Sequence, residues 1–164
     1  METERIVYRF FNEEDYETLH GILSNDNFCK YLPARKAMTE KQTKNWHQHF
    51  VKSSDTEKPN LIYALIDKEN NKLFGYAGVA FLTEFNRCEI MYGIDEAYWG
   101  KGYASEAAFK MKEVAISLGL DDVVALADPD NVGSNRILTK IGFEFIKKME
   151  LWGMDLNYYE QELK

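Results

Sequence analysis

The strand-like run Cys88-Glu89-Ile90-Met91-Tyr92-Gly93-Ile94 is followed within a few residues by Trp99-Gly100-Lys101-Gly102-Tyr103-Ala104-Ser105-Glu106, and the reading of that junction decides the fold. Two glycines flank a lysine just ahead of a helical pattern in which Ala107, Ala108, Met111, Val114, Ala115 and Leu118 share one face. Gly119 stands where a C-cap belongs. A glycine loop opening into a helix lets several backbone N–H groups converge on one point, where the helix dipole adds positive potential. Such a point binds phosphate. Lys101 adds a point charge, and a Cβ at either glycine would block close approach or forbid a positive φ. Glu106 and Ala107 stand where a dinucleotide fingerprint needs its later glycine, and the phosphate-loop pattern ending in Gly-Lys-Ser/Thr is missing too. A tight turn without a ligand is the other meaning of Gly-Lys-Gly before a helix.

Downstream of the helix, 123–127 is a short continuous apolar strand, and a strand-helix-strand unit implies parallel pairing with a right-handed crossover. Upstream, strand patterns at 61–66, 73–82 and 88–94 are separated by polar turns at 68–71 and 84–86, which is an antiparallel meander. A first strand is expected over 5–11. Asn12 then caps a short helix bearing Tyr16, Leu19, His20 and Leu23, and Thr39 with Gln42 forms a capping box for a helix bearing Trp46, Phe50 and Val51. Residues 53–59 read as a loop. After 123–127 come a helix over 131–140 ended by Gly142 and a strand pair, 143–149 with 154–163, turning at Trp152-Gly153. The predicted fold is α/β of the α+β kind. It has a mixed, mostly antiparallel central sheet flanked by helices, one parallel step, and one domain over residues 1–164.

A formal net charge of -7 argues against a nucleic-acid binder, which needs a basic face against phosphates, and gives a field that favours cationic acceptors. The longest uncharged stretch around an apolar centre, 73–83, is too short for a membrane span. The acidic N-terminus leads into no signal-peptide pattern, so the expected compartment is the cytoplasm. Cys29 and Cys88 are far apart, and His20, His47 and His49 share no ligand spacing, so reduced structural thiols and no metal site are expected.

A third segment adds to the strand and the loop: Pro129-Asp130-Asn131-Val132-Gly133-Ser134-Asn135-Arg136-Ile137-Leu138, closed by Gly142-Phe143. Together the three ordered blocks resemble the GNAT superfamily of acyl-CoA N-acyltransferases, especially its ribosomal-protein-acetyltransferase-like (RimJ/RimL-type) branch. The likeness covers roughly the last two thirds of the chain. It implies acetyl transfer from acetyl-CoA, a cosubstrate, to a primary amine by direct attack in a ternary complex. The acceptor would be a small-molecule amine or a peptide N-terminus, and the protein a monomer or homodimer. A non-catalytic acyl-CoA or nucleotide-binding module is the alternative.

The resemblance also implies roles. Gly100, Lys101, Gly102, Tyr103, Ala104 and Ser105 would hold the pyrophosphate. Tyr92 and Ile94, on a strand carrying a bulge that Gly93 tolerates, would line the pantetheine slot with Asn131 and Asn135. Ser134 would face the thioester sulfur as the acid for the leaving thiolate, although Asn131 and Ser134 also read as helix-capping residues. Trp99 stands where a Gln or Arg often opens the loop, and Leu138 where many members place a proton-donating Tyr, which leaves Tyr158 or water as further candidates for the acid. The amine, with an ordinary pKa of about 10.4, must lose a proton, and Glu89 is the first candidate base. A carboxylate in an apolar strand needs either such a function or an ion pair, for which Arg87 or Lys72 is within reach in sequence. Glu150 is the second candidate. Tyr31, Trp46, Phe50 and the segment 29–38 are expected to border the acceptor groove.

Overall fold

The computed structural model describes residues 1–55 and 57–164. The described residues form one sheet of eight strands: β1 (Ile6–Phe10), β2 (Ser54–Asp55), β3 (Asn60–Asp67), β4 (Leu73–Leu82), β5 (Arg87–Ile94), β6 (Asp122–Ala127), β7 (Glu144–Leu151) and β8 (Met154–Glu162). Five α-helices accompany them: α1 (Tyr16–Leu23), α2 (Asp26–Cys29), α3 (Glu40–Val51), α4 (Tyr103–Ser117) and α5 (Val132–Lys140). The order across the sheet is β1-β3-β4-β5-β6-β8-β7, with β2 beside β3. Every neighbouring pair is antiparallel except β5 with β6. The mixed sheet with one parallel step is as the sequence pattern predicts.

The meander follows from its turns. Asn71 and Asn86 close them at φ 58° and 52°, in the left-handed region that asparagine tolerates better than most residues. Each face of the sheet buries a separate core. On one side α4 packs Ala107, Ala108, Met111 and Ala115 against Ile6, Leu65, Phe74, Val79, Ile90 and Val123. On the other, Leu19, Leu23 and Phe50 of α1 and α3 meet Ile62, Ala64, Ile66 and Tyr76. The expected capping box forms between Thr39 and Gln42, whereas Asn12 caps a 3-10 turn, Glu13–Asp15, ahead of α1: its side chain accepts from the N–H of Glu14 while Asp15 accepts from the N–H of Asn12.

Two local readings need correction. Residues 53–59 are not simply a loop: Ser54 and Asp55 pair with Leu61 and Asn60 as β2, and Ser53 is buried with its hydroxyl on the Phe50 carbonyl at 2.7 Å. Thr56 lies outside the described residues. The segment 29–38 is preceded by a helical turn, α2, capped by Asn25, which no periodicity announces in four residues.

Glycine replaces bulk at the centre of the sheet. A Cβ on Gly75 would sit 2.2 Å from the Gly93 carbonyl oxygen, and one on Gly93 would sit 2.6 Å from the Tyr76 ring. The strand carrying Gly93 is not bulged. The β4–β5 register runs unbroken from Gly75 opposite Ile94 to Leu82 opposite Arg87, so Gly93 makes room for the Tyr76 ring and not for a backbone distortion. Gly75→Ala, which meets backbone that cannot step aside, is expected to cost about 1–3 kcal/mol or more. A urea midpoint unchanged from the parent would refute that reading of the contact.

Candidate active site

Strands β5 and β6 meet at one register only, Glu89 opposite Val124. Beyond it the two strands run on without pairing. The Asp95 N–H donates to the Phe74 carbonyl at 2.7 Å, so strand alternation sends the odd-numbered residues of β5 toward β4 and turns the N–H groups of Tyr92 and Ile94 toward the open seam. The Ile94 carbonyl accepts the indole N–H of Trp99 at 2.7 Å, which folds the following loop back onto the strand end.

That loop is a 3-10 turn, Glu96–Tyr98, followed by Trp99 and the two glycines. Gly100 has φ 72° and Gly102 φ 83°, values an L side chain adopts only with strain. Gly102 is the N-cap of α4 and offers no side-chain acceptor, so the first amides of a four-turn helix are left uncapped beside the seam. Nothing lies within 4 Å of the position a Cβ on Gly100 would take. Lys101 is exposed, with its ammonium on the Ala97 carbonyl at 3.0 Å. An anionic group fits here.

An unpredicted residue holds the loop in place. Arg5 donates through Nε to Glu106 Oε2 at 2.8 Å and through Nη1 to the Lys101 carbonyl at 2.7 Å, and its guanidinium lies 4.1 Å from the centre of the Tyr103 ring. Burial alone would raise the Glu106 carboxyl, but the Thr3 hydroxyl and the bonds from Arg5 carry it below its ordinary value. Glu106 is therefore ionised beside an anion site and neutralised by Arg5. A partly buried carboxylate beside the uncapped start of a helix that follows a glycine loop calls for a neutralising partner, and that was the signal available in the sequence.

Glu89 and Ser134 lie on opposite faces of the sheet. Glu89 shares its face with Met91 and lies on the floor of a cavity of about 670 Å³, also lined by Trp46 and Phe50 of α3, Ile62 of β3, and Trp152 from the β7–β8 turn. Neither cation offered by the sequence pairs with it: Arg87 pairs with Asp122 and Glu160 instead, and Lys72 is not within ion-pair distance. Burial, and secondarily the Glu84 charge, pushes the Glu89 carboxyl up to about 8. On the α4 face, Ser134 Oγ lies 2.9 Å from the Tyr92 hydroxyl, which burial pushes up to about 12.

The remaining candidates divide. Asn131 caps α5 through the Ser134 N–H at 3.2 Å. Asn135 has no amide atom to spare for a ligand. Its Nδ2 donates to the carbonyls of Asp128 and Asn131, and its Oδ1 accepts from Asn157 and the Tyr159 hydroxyl. It ties α5 to the sheet. Tyr158 is likewise occupied, donating to Glu160 at 2.9 Å and accepting from Arg87. Glu150 is exposed and lines a different depression, of about 550 Å³, with Arg35, Asp128, Asp130, Lys148 and Asp155. Trp46 and Phe50 do border the Glu89 cavity, while Tyr31 is not among its lining residues. Leu138 is core, and Cys29 and Cys88 are free, buried thiols raised by burial. Among the described residues, no group of three His, Cys, Asp or Glu side chains is placed to hold a metal ion, and no helix is long and apolar enough to cross a membrane.

A sheet that parts at its one parallel pair, with an uncapped helix N-terminus beside the opening, is the architecture of an acyl-CoA-dependent acetyltransferase. The family model described as acetyltransferase (GNAT) domain matches residues 5–144. The chain is 30% identical over 146 residues to the uncharacterized N-acetyltransferase YoaA of Bacillus subtilis (strain 168), covering 88% of this chain and 82% of YoaA. It superposes with a TM-score of 0.82 on the crystal structure of an acetyltransferase (GNAT family) from Bacillus anthracis, at 26% identity and covering 99% and 98% of the two chains. The ribosomal L7/L12 alpha-N-protein acetyltransferase RimL, solved with coenzyme A, shares the fold at a TM-score of 0.80 and 19% identity, over 98% of this chain and 95% of RimL. The chain belongs to the GNAT family of acetyltransferases, enzymes that use acetyl-CoA and act on amine acceptors.

The raised Glu89 carboxyl has a consequence for stability. The unfolded chain releases this proton near 4.5 and the folded chain near 8, so the associated stability is complete below about pH 4.5 and is lost as pH rises through about 8. Glu89→Gln, which stays neutral, is expected to raise the melting temperature above the parent's at pH 9 and to differ little from it at pH 5. Equal differences at the two pH values would contradict the buried-proton account.

Proposed function

We propose that the chain transfers the acetyl group of acetyl-CoA to a primary amine by direct attack in a ternary complex. The observation that carries this reading is the β5–β6 seam, closed at Glu89 and open beyond it beside the uncapped start of α4. The pyrophosphate rests on the amides of Gly100, Lys101, Gly102, Tyr103, Ala104 and Ser105, where backbone donors and the helix dipole favour negative charge. The pantetheine arm follows the free edge of β5 along Tyr92 and Ile94, which supplies the hydrogen bonds a neighbouring strand would otherwise make. Asn131, at the cap of α5, borders the same arm.

Glu89 is the base. It meets the amine on the α3 face of the sheet and takes a proton as the nitrogen lone pair forms the new C–N bond; a carboxyl raised toward working pH is better matched to that task than an ordinary one. The C–S bond breaks as the tetrahedral carbon collapses, and the departing thiolate takes a proton from the Ser134 hydroxyl on the other face, which the Tyr92 hydroxyl can resupply. Backbone N–H groups at the free edge stabilise the transient oxyanion. Neither thiol is suited to an acyl-enzyme, because both are buried with raised pKa values. The motif likeness to the RimJ/RimL-type branch supports a peptide N-terminus as one acceptor class; a small-molecule amine is the other.

Acetyl-CoA and CoA, and neither ATP nor NAD, are expected to raise the melting temperature by several degrees at about 100-fold excess over Kd, equivalent to about 2.7 kcal/mol. Gly102→Val removes that shift while the protein stays folded; a retained shift would sink the phosphate assignment. In steady-state assays Glu89→Gln is expected to lower kcat by about 10²–10⁴-fold with coenzyme affinity kept, and to abolish a limb of the kcat/KM profile that rises with pH around 8. Ser134→Ala also lowers kcat. Unchanged turnover in both variants would remove the proposed acid and base and leave the fold and the transferase activity standing.

A further inference from the structure

We infer that the acceptor is a small monoamine with an aryl or alkyl body, seated in the Glu89 cavity against Trp152. The inference rests on the transferase reading above and narrows it to a substrate class.

The cavity's composition argues for one ammonium and an apolar remainder. Trp46, Phe50, Ile62, Leu82, Met91 and Trp152 line it together with Lys58 and His49, and among the described lining residues Glu89 is the one carboxylate. An amine with a single basic nitrogen leaves nothing uncompensated there, whereas each further ammonium of a polyamine would be desolvated without a partner. The volume of about 670 Å³ is that of a site for a whole small molecule. The other depression, with four carboxylates and two cations, has the opposite character and is where a polycation would go. The overall charge of -7 therefore misleads about the acceptor: the field draws cations in general, and the lining selects among them.

Trp152 gives an independent argument. It and Gly153 form the two-residue turn between β7 and β8, both at positive φ, 53° and 73°. Asn, Asp or Gly ordinarily fills the first of these positions, because a bulky side chain is strained in the left-handed region. Here tryptophan occupies it, half-exposed, with its indole N–H on Glu84 Oε1 of the β4–β5 turn at 3.2 Å. The bond spans two turns and stands the ring up as the cavity wall opposite α3. A residue poorly suited to its turn, held across a cavity mouth, has a use that the fold does not require.

The test uses the full chain, acetyl-CoA and a panel of 2-phenylethylamine, hexylamine, spermidine, an aminoglycoside and tetrapeptides beginning with Ala or Ser, with released thiol as the readout. The two monoamines are expected to exceed every other acceptor in kcat/KM by about tenfold or more. Trp152→Asn, which suits the turn better, is expected to keep or raise the melting temperature and the acetyl-CoA KM while raising the KM for 2-phenylethylamine about tenfold with kcat held. A purely structural tryptophan would leave that KM unmoved, and such a result overturns the inference. Preference for spermidine, the aminoglycoside or a peptide also overturns it and leaves the transferase reading standing. Acetyl-CoA binding without turnover of any amine overturns both.

Discussion

The site is organised around one register, where the Glu89 position of β5 lies opposite Val124 of β6. Parallel strands joined through a helix are normally held by a ladder along their length. Here the ladder is a single rung. Everything chemical is referred to that rung. Glu89 lies on one face of it, Tyr92 with Ser134 on the other, and the unpaired amides between. The sheet is thus divided into two halves with separate tasks: the meander supplies the floor of the apolar cavity, and β6, β8 and β7 carry the hairpin whose turn walls it.

Arg5 resolves the electrostatic conflict this creates. A helix start proposed to receive anions carries a carboxylate, Glu106, in its first turn, and that carboxylate is held by Thr3 and Arg5 from a segment about a hundred residues away in sequence. The arginine also stacks on Tyr103 and bonds the Lys101 carbonyl, so neutralisation and loop shape come from one side chain. Lysine in its place would supply the charge without the planar fork or the stacking.

Local chemistry was legible in the sequence and distant partnership was not. The bounds of β4, the apolar face of α4, the Asn12 cap and the Thr39–Gln42 capping box follow from periodicity and from hydrogen bonds that span three or four residues. The glycine loop was legible for the same reason. The expected bulge at Gly93 failed because a glycine in a strand announces that something comes close without saying what; here it is the Tyr76 ring from the neighbouring strand. The ties of Asn135 were half legible, since two of its partners are carbonyls of the preceding segment, Asp128 and Asn131, while Asn157 and Tyr159 come from the distant strand β8. Arg87 shares a strand face with Glu89 two residues away, which makes it a reasonable partner from sequence, but its guanidinium is taken by Asp122 and Glu160 from β6 and β8. The position of Trp152 was legible as a turn, while its part in a cavity wall needed the β4–β5 turn to be placed opposite it.

At the far margin of the sheet, β7 has β8 on one side and no strand on the other. Phe145 and Ile146 are exposed there, and an edge with open hydrogen-bonding groups and apolar side chains is a template for adding another strand. The two residues that follow are Lys147 and Lys148, at the middle of the eight-residue strand. If two copies joined through this edge antiparallel, the two most central registers would set Lys147 opposite Lys147 or Lys148 opposite Lys148. The repulsion penalises the alignments that would bury the most backbone, so the sheet carries at its rim its own guard against edge-to-edge pairing.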